Sequence, residues 1–207
     1  MKEKFFEYLK SLGYQDRINE VNKLLKKVSK ITKDDEDKVL ESSDFSYNDK
    51  KVARLEALIG ELRVVVFLDR FNFVNIKLLK ASQSGRRSDI NAELSQEPFF
   101  IEVTCLTKFY SRKSYNGIYV LDNDKFKREL KGKILNKKEQ LDGKEGKYKK
   151  MIVFVLNKYP ELALYQKEEY LKIVESCYKE SGIGKDYYLG FVTGLNNEDF
   201  IYPELYN

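Results

Sequence analysis

Two arms of strict period-two alternation, separated by four turn-forming residues, constrain this chain more than any other stretch. Asp89-Ile90-Asn91-Ala92-Glu93-Leu94 places Asp89, Asn91 and Glu93 on one side and Ile90, Ala92 and Leu94 on the other. Phe99-Phe100-Ile101-Glu102-Val103-Thr104-Cys105 repeats the pattern, with Phe100, Glu102 and Thr104 opposite Ile101, Val103 and Cys105. Between the arms, Ser95-Gln96-Glu97-Pro98 has turn chemistry and predicts a hairpin with a four-residue loop. Pairing Leu94 with Phe99 then sets Asn91 opposite Glu102 and Asp89 opposite Thr104. Asp89 and Glu102 become diagonal neighbours on one face, roughly 7–8 Å apart. Carboxylates so placed repel unless a proton, a cation or solvent intervenes, and a hard divalent ion such as Mg²⁺ is the natural resolution. An ordinary hairpin with its acids on a solvated face carries the same pattern.

An acid opening one strand, a second acid within the apolar partner strand, and a following helix with Lys and Gln resemble the PD-(D/E)xK nuclease superfamily. The resemblance implies a restriction-endonuclease-like fold, an α/β three-layer core with a central mixed sheet flanked by helices. Asp89 takes the place of the first acid, with Ser88 where Pro often stands, and Glu102 that of the second, in Glu102-Val103-Thr104. Thr104 departs from the pattern, because the family usually has Lys there. The resemblance further implies that Asp89, Glu102 and the Val103 carbonyl hold Mg²⁺ or Mn²⁺. It adds Glu61 from the preceding helix, in Ile59-Gly60-Glu61-Leu62, ahead of Glu56. Lys137 and Gln140, in Lys137-Lys138-Glu139-Gln140-Leu141, stand where the family's helix presents such groups, and a Lys from there would replace the one missing at Thr104. Lys108 has the right strand parity but lies roughly 13 Å along from Thr104 at ~3.3 Å per residue.

The remaining elements are read from periodicity. Lys2–Leu12 and Gln15–Ile31 predict amphipathic helices, and Thr32–Asn48 a loop or short helix whose acids, Asp34 to Asp37, form solvated surface. Residues 1–50 are thus expected as an N-terminal helical extension, balanced in charge, and 51–207 as the core. Lys51–Arg70 predicts a helix with an apolar surface wide enough to pack on a sheet. Phe71–Leu79, Lys150–Asn157 and Tyr187–Leu195 predict strands, the second continuously apolar and therefore covered on both faces. Asp122–Leu141 and Glu161–Lys179 predict helices. Phe126, Leu130, Ile134 and Leu141 stripe one side of the first, Lys133, Lys137 and Gln140 another, and Asp122 or Asn123 is its cap.

Composition narrows the chemistry. The 207 residues include no His, which removes histidine bases, His-containing zinc sites and Ser-His or Cys-His catalysis. Two cysteines make no disulfide framework, and Cys105 reads as a small buried hydrophobe. No stretch predicts a membrane span or a signal peptide, so a cytoplasmic protein is expected. The net charge is +5, yet residues 107–150 carry fourteen Lys/Arg against six Asp/Glu, leaving −3 elsewhere. Such a block suits a polyanion, DNA first of all, though a solvated Lys-rich helix has the same composition. Arg86 and Arg87 are placed for phosphate contact. Residues 107–117, with Lys108, Arg112 and Lys113 among Tyr and Ser, resemble a substrate-contacting loop, and Lys133 extends the basic surface. The expected function is a metal-dependent nuclease. A catalytically silent nucleic-acid-binding protein on the same scaffold is the alternative, as is a structural or interaction subunit dimerising through the N-terminal helices.

Overall fold

The computed structural model describes residues 1–43, 52–80, 88–106, 122–143, 147–156, 167–193 and 198–205. It is an α/β protein in which six strands form one mixed open sheet, ordered β1-β2-β3-β4-β5-β6, packed against helices. The chain divides into two compact units, Met1–Val103 and Thr104–Asn207.

The first unit begins with α1 (Lys2–Ser11), a 3-10 turn at Gln15–Arg17, α2 (Ile18–Thr32) and α3 (Glu36–Ser42). The helix expected from Gln15 therefore starts three residues later, after the tighter turn. Gly13, at φ +79, ends the α1 segment in a left-handed conformation that costs glycine little. Residues 32–48, left open between loop and helix, contain α3. Its N-terminus is capped by Asp35, whose carboxylate accepts the Lys38 N–H at 2.8 Å. The neighbouring acids do more than meet solvent: Asp34 pairs with Lys38, Glu36 with Lys2, and Asp37 with the amino terminus at 3.4 Å.

Helix α4 (Val52–Arg70) is apolar around much of its circumference because α2 and β1 both pack on it. Leu55, Leu58, Leu62, Val64, Val65, Phe67 and Leu68 are all buried. Each such side chain contributes roughly 1.5–3 kcal/mol on burial. Strand β1 (Val74–Leu78) is shorter than expected, since Phe71 and Asn72 form the turn that ends α4. β2 (Ile90–Leu94) pairs antiparallel with β1 and with β3 (Glu97–Leu106). Phe73 meets Phe99 edge-on at 5.0 Å, which packs the start of β1 on the hairpin.

The second unit contains α5 (Asn123–Asp142), β4 (Lys149–Leu156), α6 (Lys167–Glu180), β5 (Tyr187–Val192) and β6 (Phe200–Tyr202). Asp122 caps α5 by accepting the Lys125 N–H at 3.0 Å. The predicted stripe, Phe126, Leu130, Ile134 and Leu141, is wholly buried. Met151 to Leu156 are buried without alternation, so β4 is covered on both faces. β4 and β5 run parallel, in register from Lys150 opposite Tyr187 to Val155 opposite Val192, and α6 lies on the crossover between them. The tail contributes a strand not anticipated from the sequence, β6, antiparallel to β5. An aromatic cluster fills this core: Tyr170 stacks on Phe126 at 4.4 Å and meets Phe191 edge-on, and Phe191 stacks on Phe154 and Phe200.

Candidate active site on the β2–β3 hairpin

The hairpin turns in two residues, not four. Ser95 and Gln96 both have positive φ, 51° and 67°, the backbone of a type I′ turn whose twist matches paired strands. Neither residue is Gly, Asn or Asp, so the sequence carries no signal for it. Glu97 and Pro98 consequently belong to β3, and Leu94 pairs with Glu97, Asn91 with Phe100, and Ile90 with Ile101. The expected pairing of Leu94 with Phe99 is corrected by two residues. A two-residue shift preserves the faces. Continued by one position, this register brings Asp89 opposite Glu102 rather than diagonal to it.

Asp89 stands just before β2 and is held from both sides. Its backbone carbonyl accepts the Leu79 N–H at 2.9 Å, while Ser88 beside it is buried and donates its hydroxyl to Asn91 Oδ1 at 2.8 Å. The Asp89 carboxylate reaches across to β3, where Oδ2 accepts the Val103 N–H at 2.6 Å. A side chain thus takes a backbone donor of the neighbouring strand and sits on the Glu102–Val103 peptide.

Glu102 is 2% exposed, and its Oε1 is sealed from solvent. An acid so deep is costly unless its charge is met. Burial along β3 explains the depth. Phe99 and Ile101 are buried on one face near the turn, whereas Glu102, Thr104 and Leu106 are buried on the other face beyond it. Val103 and Cys105 are only half-buried, which corrects the expectation of Cys105 as a core residue. Thr104 is buried and brings a hydroxyl where a Lys would bring charge.

Glu61 is half-buried on α4, next to the buried Gly60. Among the described residues no three His, Cys, Asp or Glu side chains are grouped to hold a metal ion, so Glu61 does not complete a three-acid cluster with Asp89 and Glu102. The constellation in this unit is a carboxylate pair with the Val103 backbone. Arg86, Arg87, Lys108, Arg112 and Lys113 lie outside the described residues.

The other expected site residues belong to α5 in the second unit: Lys133 and Lys137 are half-buried and Gln140 is exposed. Much of the positive charge of this helix is compensated within the unit. Lys127 and Lys131 reach Glu180 at 2.6 and 3.2 Å, and Lys125 reaches Asp122 at 3.1 Å. Hydrogen bonds from Lys127, Ser176 and Lys131 hold the Glu180 carboxyl down at about 2. Lys127, Lys131 and Glu180 line an open depression of about 440 Å³ with Asp124 and Arg128.

One polar cluster escaped sequence reasoning. Asp142, at the end of α5, accepts from Lys138 at 2.6 Å, from Lys150 at 2.8 Å and from the Tyr187 hydroxyl. Lys150 Nζ also sits 4.9 Å above the Tyr187 ring. Burial opposes ionisation of Asp142, but these donors hold its carboxyl well below the ordinary range. Burial, followed by the bond to Asp142, pushes the Tyr187 phenol far above its usual range. The partners are 45 residues apart in sequence, so no local pattern announces them. Saturated by two ammonium groups and a phenol, Asp142 fastens α5 to the starts of β4 and β5.

Among the described residues no helix is long and apolar enough to cross a membrane. Comparison with protein-family models, with curated proteins and with solved structures finds no match for this chain.

Proposed function

We propose that this protein is a metal-dependent nuclease of the PD-(D/E)xK type, built on a restriction-endonuclease-like core and hydrolysing phosphodiester bonds in DNA. The observation that carries the reading is the Asp89 carboxylate bonded to the Val103 N–H, on the peptide that follows the buried Glu102. Two carboxylates at opposed positions of the hairpin, with a backbone carbonyl beside them, make an all-oxygen donor set. That set fits Mg²⁺ or Mn²⁺, since Mg²⁺ is commonly bound through one or two carboxylates with water and phosphate completing its shell. Asp89, Glu102 and the Val103 carbonyl would hold the ion. When bound, it would lower the pKa of a water and offset charge developing on the phosphate.

The chain's own residues supply position. The bonds from Leu79 and Val103 fix Asp89, and the buried surroundings of Glu102 limit its rotamers and raise the strength of any charge it meets. Thr104 can orient a water but not stabilise its conjugate base. The buried Thr104 favours the second reading, a silent nucleic-acid-binding scaffold.

The test is cleavage of DNA and RNA substrates with Mg²⁺ or Mn²⁺. Wild type is expected to cut DNA. Asp89→Ala and Glu102→Ala should each lose activity by at least about 100-fold, the scale on which loss of aligned catalytic groups is felt, while still binding substrate. Binding without cleavage in wild type selects the silent scaffold, and the absence of both refutes each nucleic-acid reading.

A further inference from the structure

Residues 21–33, Val-Asn-Lys-Leu-Leu-Lys-Lys-Val-Ser-Lys-Ile-Thr-Lys, hold five lysines and no acid, a local charge equal to the net +5 of the whole chain. They form most of α2, and the segregation disappears when residues 1–50 are summed. Val21, Leu25 and Val28 are buried, whereas Lys23, Lys26, Lys27, Lys30 and Lys33 are all exposed on the opposite side. Lys23, Lys26, Lys27 and Lys30, spaced by three and four residues, make one contiguous patch that Lys33 extends from the left-handed cap just past the helix, about 15 Å in all at 1.5 Å per residue.

Acids next in sequence do not neutralise the patch. Asp34 pairs with Lys38, Glu36 with Lys2, and Asp37 with the amino terminus, while Asp35 caps α3. Among the described residues none of the five lysines has an ion-pair partner. The end of α2 is itself fixed, because Ser29 donates to the Asp34 carbonyl at 2.7 Å and Thr32 to the Val28 carbonyl at 3.1 Å.

We propose that the outer face of α2 binds the phosphate backbone of a nucleic-acid duplex. The proposal rests on the nuclease reading for its choice of polyanion and adds to it a substrate-gripping surface distant in sequence from the carboxylates. A 15 Å length of duplex carries about nine phosphates at one charge per ~1.7 Å, enough for five point-like ammonium groups. A lipid surface fits less well. An interfacial helix lays its apolar face into the membrane, but that of α2 is spent inside the protein, and no large apolar side chain of α2 is exposed.

The experiment measures binding of a fluorescein-labelled DNA duplex of about 20 base pairs by anisotropy, with EDTA present, between about 50 and 200 mM salt. Wild type is compared with variants changing all five lysines to Gln or to Arg. Both replacements suit an exposed helix, and unchanged thermal melting verifies the fold. With each phosphate contact contributing about 0.9 to the salt slope, the Gln variant should flatten it by up to about 4.5, while the Arg variant retains it. Over that salt range the difference amounts to about 500-fold in salt sensitivity. Wild-type slope in the Gln variant overturns the proposal. So does absence of duplex binding by wild type, with or without binding to phosphatidylserine-containing vesicles. Failure of the nuclease reading is separable: α2-dependent binding without metal-dependent cleavage removes the nuclease and leaves the α2 surface standing.

Discussion

Helices α2 and α5 are both rich in lysine, yet they hold their charge in opposite ways. On α5, Lys127 and Lys131 share Glu180, Lys125 meets Asp122, and Lys138 meets Asp142. On α2 and its C-terminal cap, Lys23, Lys26, Lys27, Lys30 and Lys33 are exposed, and the acids that follow pair with Lys2, Lys38 and the amino terminus. The sequence ranks the two regions the other way, with +8 over residues 107–150 and near balance over the first fifty. Charge available to a polyanion is what remains after intramolecular pairing. A sum over a segment does not measure it.

The contrast makes the α5 pairs structural and the α2 lysines dispensable for stability, and the sharpest probe is Asp142. Asp142→Asn should destabilise the protein by about 1–2 kcal/mol, a factor of 5–30 in the folding equilibrium, the lower end reflecting its partial exposure. Its folded-state pKa lies below the ordinary value of about 3.9, so the ionised group's contribution is complete above that pH. That contribution is lost as pH falls through the lower folded value. Thermal melts of wild type and variant should therefore differ most at neutral pH and converge in strong acid. A constant gap down to acid would assign the loss to packing instead.

Glu180→Gln is the next probe, because it converts part of α5 to the condition of α2. Freeing Lys127 and Lys131 should steepen the salt slope of duplex binding by up to about 1.8, or about 12-fold between 50 and 200 mM salt. An unchanged slope in the anisotropy titration would place α5 away from the nucleic acid. The smallest expected effect belongs to Lys127→Gln with Lys131→Gln. Duplex affinity should stay within about twofold of wild type, since Glu180 engages both lysines and offsets one of their two charges. A larger loss would show that Glu180 yields its partners to phosphate, removing the distinction between the helices.

The hairpin shows where sequence reasoning reaches its end. Alternation identified both faces, and the faces survive in the structure because a two-residue slip leaves side-chain parity intact. The register was not legible. It is set by the left-handed conformations of Ser95 and Gln96, which have no compositional signature, and by the admission of Pro98 to an exposed position of β3. The depth of Glu102 was hidden for a related reason. Alternation reports which residues share a face, but not where along a strand that face becomes covered.

By itself the sequence determined the elements that local periodicity can encode: the buried stripe of α5, the two-sided burial of β4, the paired faces of β2 and β3, and a chemistry without histidine. Tertiary structure decided how charges were spent. It set Asp89 on the Glu102–Val103 peptide, joined Lys127 to Glu180 across 53 residues, and left the α2 lysines facing outward. The physical reason is range. Hydrophobic periodicity repeats within a few residues, whereas a hydrogen bond or ion pair depends on an approach of about 3 Å that only the folded chain specifies.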